Sequence, residues 1–221
     1  MLYSNLKIII RQFKNVYAVL NLVGLTVGLT AFILIFLWVK EEISYDKFHA
    51  DYRKIFRIVT HQPNEDNNLT TIAKTPAPLA AYLKSTYGEI TDACKLRNVE
   101  FFLKYEDGGF YKKGFSADPS FFDFFHFPLR SGNLTSFADG TDKIIISQQL
   151  AETYFGKADP LDKVFTIAGR DVQVVGVMEN VPSNSHLQFD FVIPIKFLEA
   201  IGADKLDIWN YYSVFTYIKI N

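Results

Sequence analysis

The sequence is poor in the features that mark a chemical or nucleic-acid-binding site. It has a single cysteine, Cys94, in 221 residues, so no internal disulfide can form and the fold does not depend on oxidation. In a strand-like stretch such a residue reads as a small core side chain. There is no G-x-x-x-x-G-K-[ST] and no G-x-G-x-x-G, which excludes the usual phosphate-cradling loops. The histidines, His49, His61, His126 and His186, show neither H-x-x-x-H nor H-E-x-x-H spacing, so no metal site or cofactor is expected. The formal net charge is −1. No basic stripe of the kind a phosphate backbone needs is present, and nucleic acid is not an expected partner.

The charge that is present is unevenly placed. Residues 1–15 hold Lys7, Arg11 and Lys14 and no acid. Lys40 is the next charge, so residues 41–221 carry 19 basic against 24 acidic side chains. Between the two lies VYAVLNLVGLTVGLTAFILIFLWV, residues Val16–Val39, without a charge. As a helix this run is about 36 Å long, enough to cross roughly 30 Å of hydrocarbon with some tilt. Tyr17 and Trp38 stand near its ends, where amphipathic rings favour the interface. A cleavable signal peptide has a shorter apolar core and a small-residue cleavage site. Here the run ends in Phe-Leu-Trp-Val-Lys-Glu-Glu, and an uncleaved anchor is expected.

The basic flank sets the expected orientation. Lys7, Arg11 and Lys14 remain in the cytoplasm and the residues after Lys40 are exported. Leu6, Ile9, Ile10 and Phe13 recur at helical spacing opposite the basic residues, which predicts an amphipathic helix on the inner lipid surface. Within the span, Asn21, Gly24, Gly28 and Ala31 form a small, partly polar stripe containing G-x-x-x-G. Such stripes let helices approach closely. The expected organisation is therefore a cytoplasmic segment 1–15, a membrane helix 16–39 and one exported domain 40–221.

Strand and helix patterns are mixed in the exported part without strict alternation, which predicts an α+β fold. Tyr45, Phe48, Tyr52 and Phe56 share a helical face and predict a short helix leading from the membrane into a strand at Ile55–Thr60. Thr75 is a candidate cap for a helix running to Tyr87, with Leu79, Tyr82 and Leu83 facing the core. FFDFFHF, Phe121–Phe127, reads as core. Ser147 is expected to cap a helix that Gly156 ends, and Gly169-Arg170 to turn between two strands. Ser185, His186 and Asp190 are the residue types of a hydrolytic triad. Adjacent Ser and His cannot readily bond each other and no nucleophile elbow surrounds them, so a loop-structuring role is expected. Asp46 and His49 suggest a surface pair one helical turn apart. No catalytic residue is expected, and the chain reads as a non-enzyme.

Four blocks carry a family resemblance. SYDKFHADYRKIFRI (Ser44–Ile58) directly follows the membrane run, then come ADPSFFDFFHFPLRSGN (Ala117–Asn133), IIISQQLAETYFGKADPLDKVF (Ile144–Phe165) and VVGVMENVPSNSHLQFDFVIP (Val174–Pro194). In this order they resemble the N-terminal part of an ABC-transporter permease of the MacB/FtsX type, with its MacB-like periplasmic core domain. The resemblance implies a mixed α/β domain of two lobes, with residues around 155–194 in an inserted lobe and the terminal strand, Ser213–Ile220, returning to the first. It implies a cytoplasmic ABC ATPase as partner, a paired or homodimeric permease, and mechanical transmission through the membrane to the periplasmic domain. It also implies three later membrane helices, so a fragment or a truncated reading frame is expected. A second reading, a single-span anchored periplasmic interaction module without transport, stays open on the residues alone.

Overall fold

The computed structural model describes residues 16–49, 51–63 and 68–221. The chain divides after Tyr45 into two units, residues 1–45 and 46–221.

In the first unit, helix α1 covers Val16–Glu42, three residues beyond the uncharged run. Its mean hydropathy reaches 2.5 and none of its residues is buried. A helix that is apolar on every side needs an apolar surrounding. Two of its polar side chains are satisfied internally, Thr26 Oγ1 donating to the Leu22 carbonyl at 2.8 Å and Thr30 Oγ1 to that of Thr26 at 2.7 Å.

The second unit is built on one sheet. Its strands run β1 (Ile55–Arg57), β2 (Thr60–Pro63), β3 (Leu69–Ile72), β4 (Thr75–Pro76), β5 (Ile90–Tyr105), β6 (Gly108–Ala117), β7 (Leu129–Gly132), β8 (Lys143–Ser147), β9 (Val164–Ile167), β10 (Arg170–Met178), β11 (Phe191–Pro194) and β12 (Tyr212–Ile220). The helices are α2 (Leu79–Thr86), α3 (Phe121–Phe125), α4 (Leu134–Ala138), α5 (Gln148–Phe155) and α6 (Lys196–Ala200). The sheet order is β1-β12-β5-β6-β11-β8-β10-β7, with β4 on β12 and β9 beside β10 and β5, while β2 and β3 form a separate hairpin. The β6–β11 and β8–β10 pairs are parallel and the others along that order antiparallel. The mixed α/β class expected from the sequence is what forms.

Alternation along the strands explains how the core is filled. Successive side chains point to opposite faces. Ile145 and Val192 join the aromatic cluster of α3 on one face, and Ile144, Ile146, Phe191 and Ile193 join Phe165 and Phe197 on the other. The two main cores are thus the two faces of a single sheet. Strands β9, β10 and β11, which fall in the segment assigned by resemblance to an inserted lobe, belong to the same sheet as β5, β6 and β12. The last strand does return to the first part of the domain, between β1 and β5.

Phe121, Phe122, Phe124 and Phe125 are at most 2 % exposed, so FFDFFHF is core as expected. Burying each ring contributes about 1.5–3 kcal/mol. Ser147 caps α5, its Oγ accepting from Leu150 N at 3.1 Å. The β9–β10 turn uses positive φ at Ala168 and Gly169, the pairing of two left-handed residues that tight hairpins require. Gly132, at φ +99°, lies so near β10 that an added Cβ would stand 2.2 Å from the Val175 carbonyl oxygen.

Three local expectations are corrected. Residues 43–49 and 51–54 form turns, not a helix, because Asp46 takes φ +57° and breaks the spiral. Thr75 does not cap a helix. It is buried in β4, its hydroxyl bonded to that of Thr216 at 2.7 Å, and α2 begins at Leu79 with Pro78 before it. On α2 the buried residue is Ala80, while Tyr82 is 49 % exposed and stacks edge-on against Trp209.

Candidate functional site

A cleft of about 350 Å³ opens in the second unit between Asp46, His49 and Tyr52 on one side and β1, α3 and β12 on the other. Asp46, His49, Arg57, His186 and Tyr217 line it. Asp46 accepts from His186 twice, from the backbone N–H at 2.9 Å and from ring Nδ1 at 2.8 Å. Its own N–H donates to the Asn184 carbonyl at 2.9 Å. Asp tolerates the left-handed conformation better than most side chains, which lets the chain turn here and present the carboxylate to the 184–186 loop.

His186 is held on its other nitrogen too, with Nε2 2.9 Å from Tyr217 Oη. The carboxylate can only accept, so Nδ1–H donates to Asp46, which leaves Nε2 to accept a hydrogen bond from the phenol O–H. The result is a chain Asp46–His186–Tyr217. Tyr217 is 4 % exposed. Burial pushes its phenol up to about 12, with Arg57 drawing it down, so the group stays a neutral donor.

His49 sits deeper, 3 % exposed. Its Nδ1–H donates to the Phe125 carbonyl at 2.5 Å. The ring lies among Phe48, Phe125 and Phe127, with centroids 4.0, 5.6 and 5.3 Å away. Its Nε2 is buried without a hydrogen-bond partner. Burial lowers the imidazole below its usual value, against the upward pull of the Phe125 carbonyl and Asp46.

This arrangement differs from the pairs read in the sequence. The Asp46 carboxylate is bonded not by His49 but by His186, 140 positions away, while His49 reaches Asp46 only through its backbone N–H, which donates to the Asp46 carbonyl at 3.3 Å. Ser185, fully buried, receives the Leu187 N–H on its Oγ at 3.2 Å and so shapes its own loop, as expected. The Asp190 backbone joins Lys113 and Ser147. The two ring nitrogens of His186 are committed to a carboxylate and a phenol. Among the described residues no group of three or more His, Cys, Asp or Glu is placed to hold a metal ion. A second hollow, about 420 Å³, lies along Gly202–Lys205 and Tyr211. Its carboxylate, Asp204, is buried against Arg97 and caps the Lys205 N–H at 2.8 Å.

In the first unit Asn21, Gly24, Gly28 and Ala31 all lie on α1. Spacings of three and four bring them to one side of the helix. A Cβ built on Gly24 or Gly28 meets no atom within 4 Å. Lys7, Arg11 and Lys14 lie outside the described residues.

The model of the MacB-like periplasmic core domain family matches residues 18–221. Among solved structures, a domain of a permease protein from Porphyromonas gingivalis is similar with a TM-score of 0.68 at 22% identity, over 78% of this chain and 75% of that one. The periplasmic region of MacB from Actinobacillus actinomycetemcomitans gives 0.59 at 14% identity, over 76% and 75% of the two chains. The extracellular domain of the noncanonic ABC-type transporter YknZ from Gram-positive bacteria gives 0.57 at 16%, over 76% and 83%. At these identities the likeness shows the fold. No curated protein matches the chain.

Proposed function

We propose, from the premise that this chain belongs to the MacB-like periplasmic core domain family, that it is the anchored, extracytoplasmic portion of an ABC-type permease. The observation that carries the reading is the extent of the family match, residues 18–221, which takes in the apolar helix and the whole sheet domain together. A permease of this kind sits in the inner membrane and works with a cytoplasmic ABC ATPase. The domain 40–221 lies outside the membrane, and Lys7, Arg11 and Lys14 stay on the ATPase side by the charge asymmetry about the span. Nucleotide-driven movement of the membrane helices is passed to the sheet domain as mechanical motion. The chain itself performs no chemistry in this scheme.

The helix supports a paired arrangement. Asn21, Gly24, Gly28 and Ala31 offer a face with open space at both glycines, and close backbone approach there gains packing and a partner for the asparagine amide. We assign that face to a second membrane helix, from a second copy or from the rest of a permease. The test is co-purification: the chain, expressed in a membrane with the ABC ATPase encoded beside its gene, is solubilised and captured. Recovery of the ATPase in stoichiometric amount, lost on replacing both Gly24 and Gly28 with Leu or on removing residues 1–15, supports the scheme. A flanking DNA with no ATPase gene and no further apolar spans counts against it.

A further inference from the structure

We propose that His49 is an acid-sensitive clasp that docks residues 46–49, the segment following the membrane helix, onto α3. The segment has two anchors of different character. At one end Asp46 is tied to the 184–186 loop by its own N–H and by two bonds from His186. At the other, His49 enters a box of Phe48, Phe125 and Phe127 and donates one ring N–H to the Phe125 carbonyl.

The box suits a neutral imidazole only. Nε2 is buried with no partner, a penalty that is smaller for a neutral lone pair than for a charge. In the imidazolium that atom carries a hydrogen and a share of the charge, and an enclosed charge without a counter-ion is costly. The groups around it give little relief. Asp46, on the same segment, is engaged by His186. His126, at the C-terminal end of α3, and His186 both act against a charged His49. Arg57, Tyr52 and Tyr217 line the adjoining cleft and add no anion. Asp51 is paired with Lys219 at 3.1 Å.

The sign follows from the direction of the shift. Burial holds His49 below its ordinary value, so the docked form is fully favoured above about pH 6.5 and is lost as pH falls through the folded-state value. The other anchor does not respond this way. A protonated His186 still donates from Nδ1 to Asp46 and then donates from Nε2 to Tyr217 Oη, so both of its bonds survive. Acid therefore frees the segment at His49 while Asp46 stays fixed.

The test is hydrogen–deuterium exchange on the full chain in lipid nanodiscs, between about pH 7.5 and pH 5, corrected for intrinsic exchange. Opening of residues 47–49 should rise by up to about tenfold per pH unit as pH falls from about 6.5 towards the lower folded-state value of His49, and level off below it. Strand β8 should keep its protection, and His49→Gln should remove the pH dependence of the segment. Unchanged protection in the unsubstituted protein, or the same pH dependence in His49→Gln, overturns the proposal. Should that variant fail to fold, ring NMR of the histidine-labelled unsubstituted protein decides. A His49 signal titrating below about 6.5 and moving together with the Phe125 amide supports the clasp, and one titrating at or above that value overturns it.

Discussion

Tyr217 Oη lies 2.9 Å from His186 Nε2 and so links β12, through the His186 ring, to the Asp46 carboxylate. Tyr217→Phe removes that bridge with almost no change of volume. The expected cost is about 0.5–1.5 kcal/mol, the net worth of one partly buried hydrogen bond. Urea unfolding of the detergent-solubilised chain, followed by tryptophan fluorescence, measures it. The ring still packs against Phe125, 5.1 Å away, so a loss much above that range would mean the aromatic packing had been disturbed as well.

Phe124→Ala should be far more damaging. The side chain is fully buried in the cluster of α3, with Phe125 at 4.8 Å and the Lys219 ammonium 5.2 Å from its ring. Loss of a buried ring and the cavity it leaves costs about 3–5 kcal/mol. Phe102→Ala is the matched control, because Phe102 is 41 % exposed on the β5–β6 hairpin. Thermal denaturation should separate the two clearly, with Phe102→Ala near the unsubstituted protein.

Gly132→Ala should destabilise although it adds one methyl group. The residue needs φ +99° and its added Cβ would meet backbone atoms of Val175 and Gly176. Strain of this kind costs about 1–3 kcal/mol, and here neither neighbour is a flexible side chain. Gly169→Ala isolates the backbone term, since nothing stands within 4 Å of its added Cβ. The Gly132 variant should lose more in a side-by-side urea titration.

Arg170 holds Asp142 by two bonds of 2.7 Å each. The guanidinium keeps the carboxyl below its ordinary range. Stability from the pair is therefore present above the unfolded carboxylate value near pH 4 and falls away as pH drops through the folded one. Both groups are about a third exposed or more, so screening limits the contribution to about 1 kcal/mol or less. A double-mutant cycle with Asp142→Asn and Arg170→Gln should give a coupling of that size near pH 7 and a coupling that shrinks as the pH is lowered below about 4.

What could be read locally in the sequence was what local chemistry determines. The uncharged run became α1, Ser147 became a cap, and FFDFFHF became core because five phenylalanines in seven residues have nowhere else to go. The failures were of two kinds. Tyr45, Phe48, Tyr52 and Phe56 keep a helical period, yet one left-handed residue at Asp46 overrides it. The Asp46–His186 pair joins positions 140 apart, and no spacing rule reaches that far. The side-chain pair that spacing did suggest, Asp46 with His49 on a helix surface, fails because the turn sends the carboxylate to the loop and the imidazole into the aromatic box.

Strand β12 bonds β1, β4 and β5, and so sits inside the sheet although it is the last strand described. It supplies Tyr217 to the aromatic core and Thr216 to the buried Thr75 hydroxyl. During synthesis, then, the domain cannot finish folding in the order in which it is made. β1 and β5 wait with open edges while more than a hundred residues are added, and closure of such distant pairs is slow. The nascent chain must be kept from pairing those edges with other chains until residues 212–220 emerge, which makes the late stage of biogenesis the point at which this protein is most exposed to aggregation.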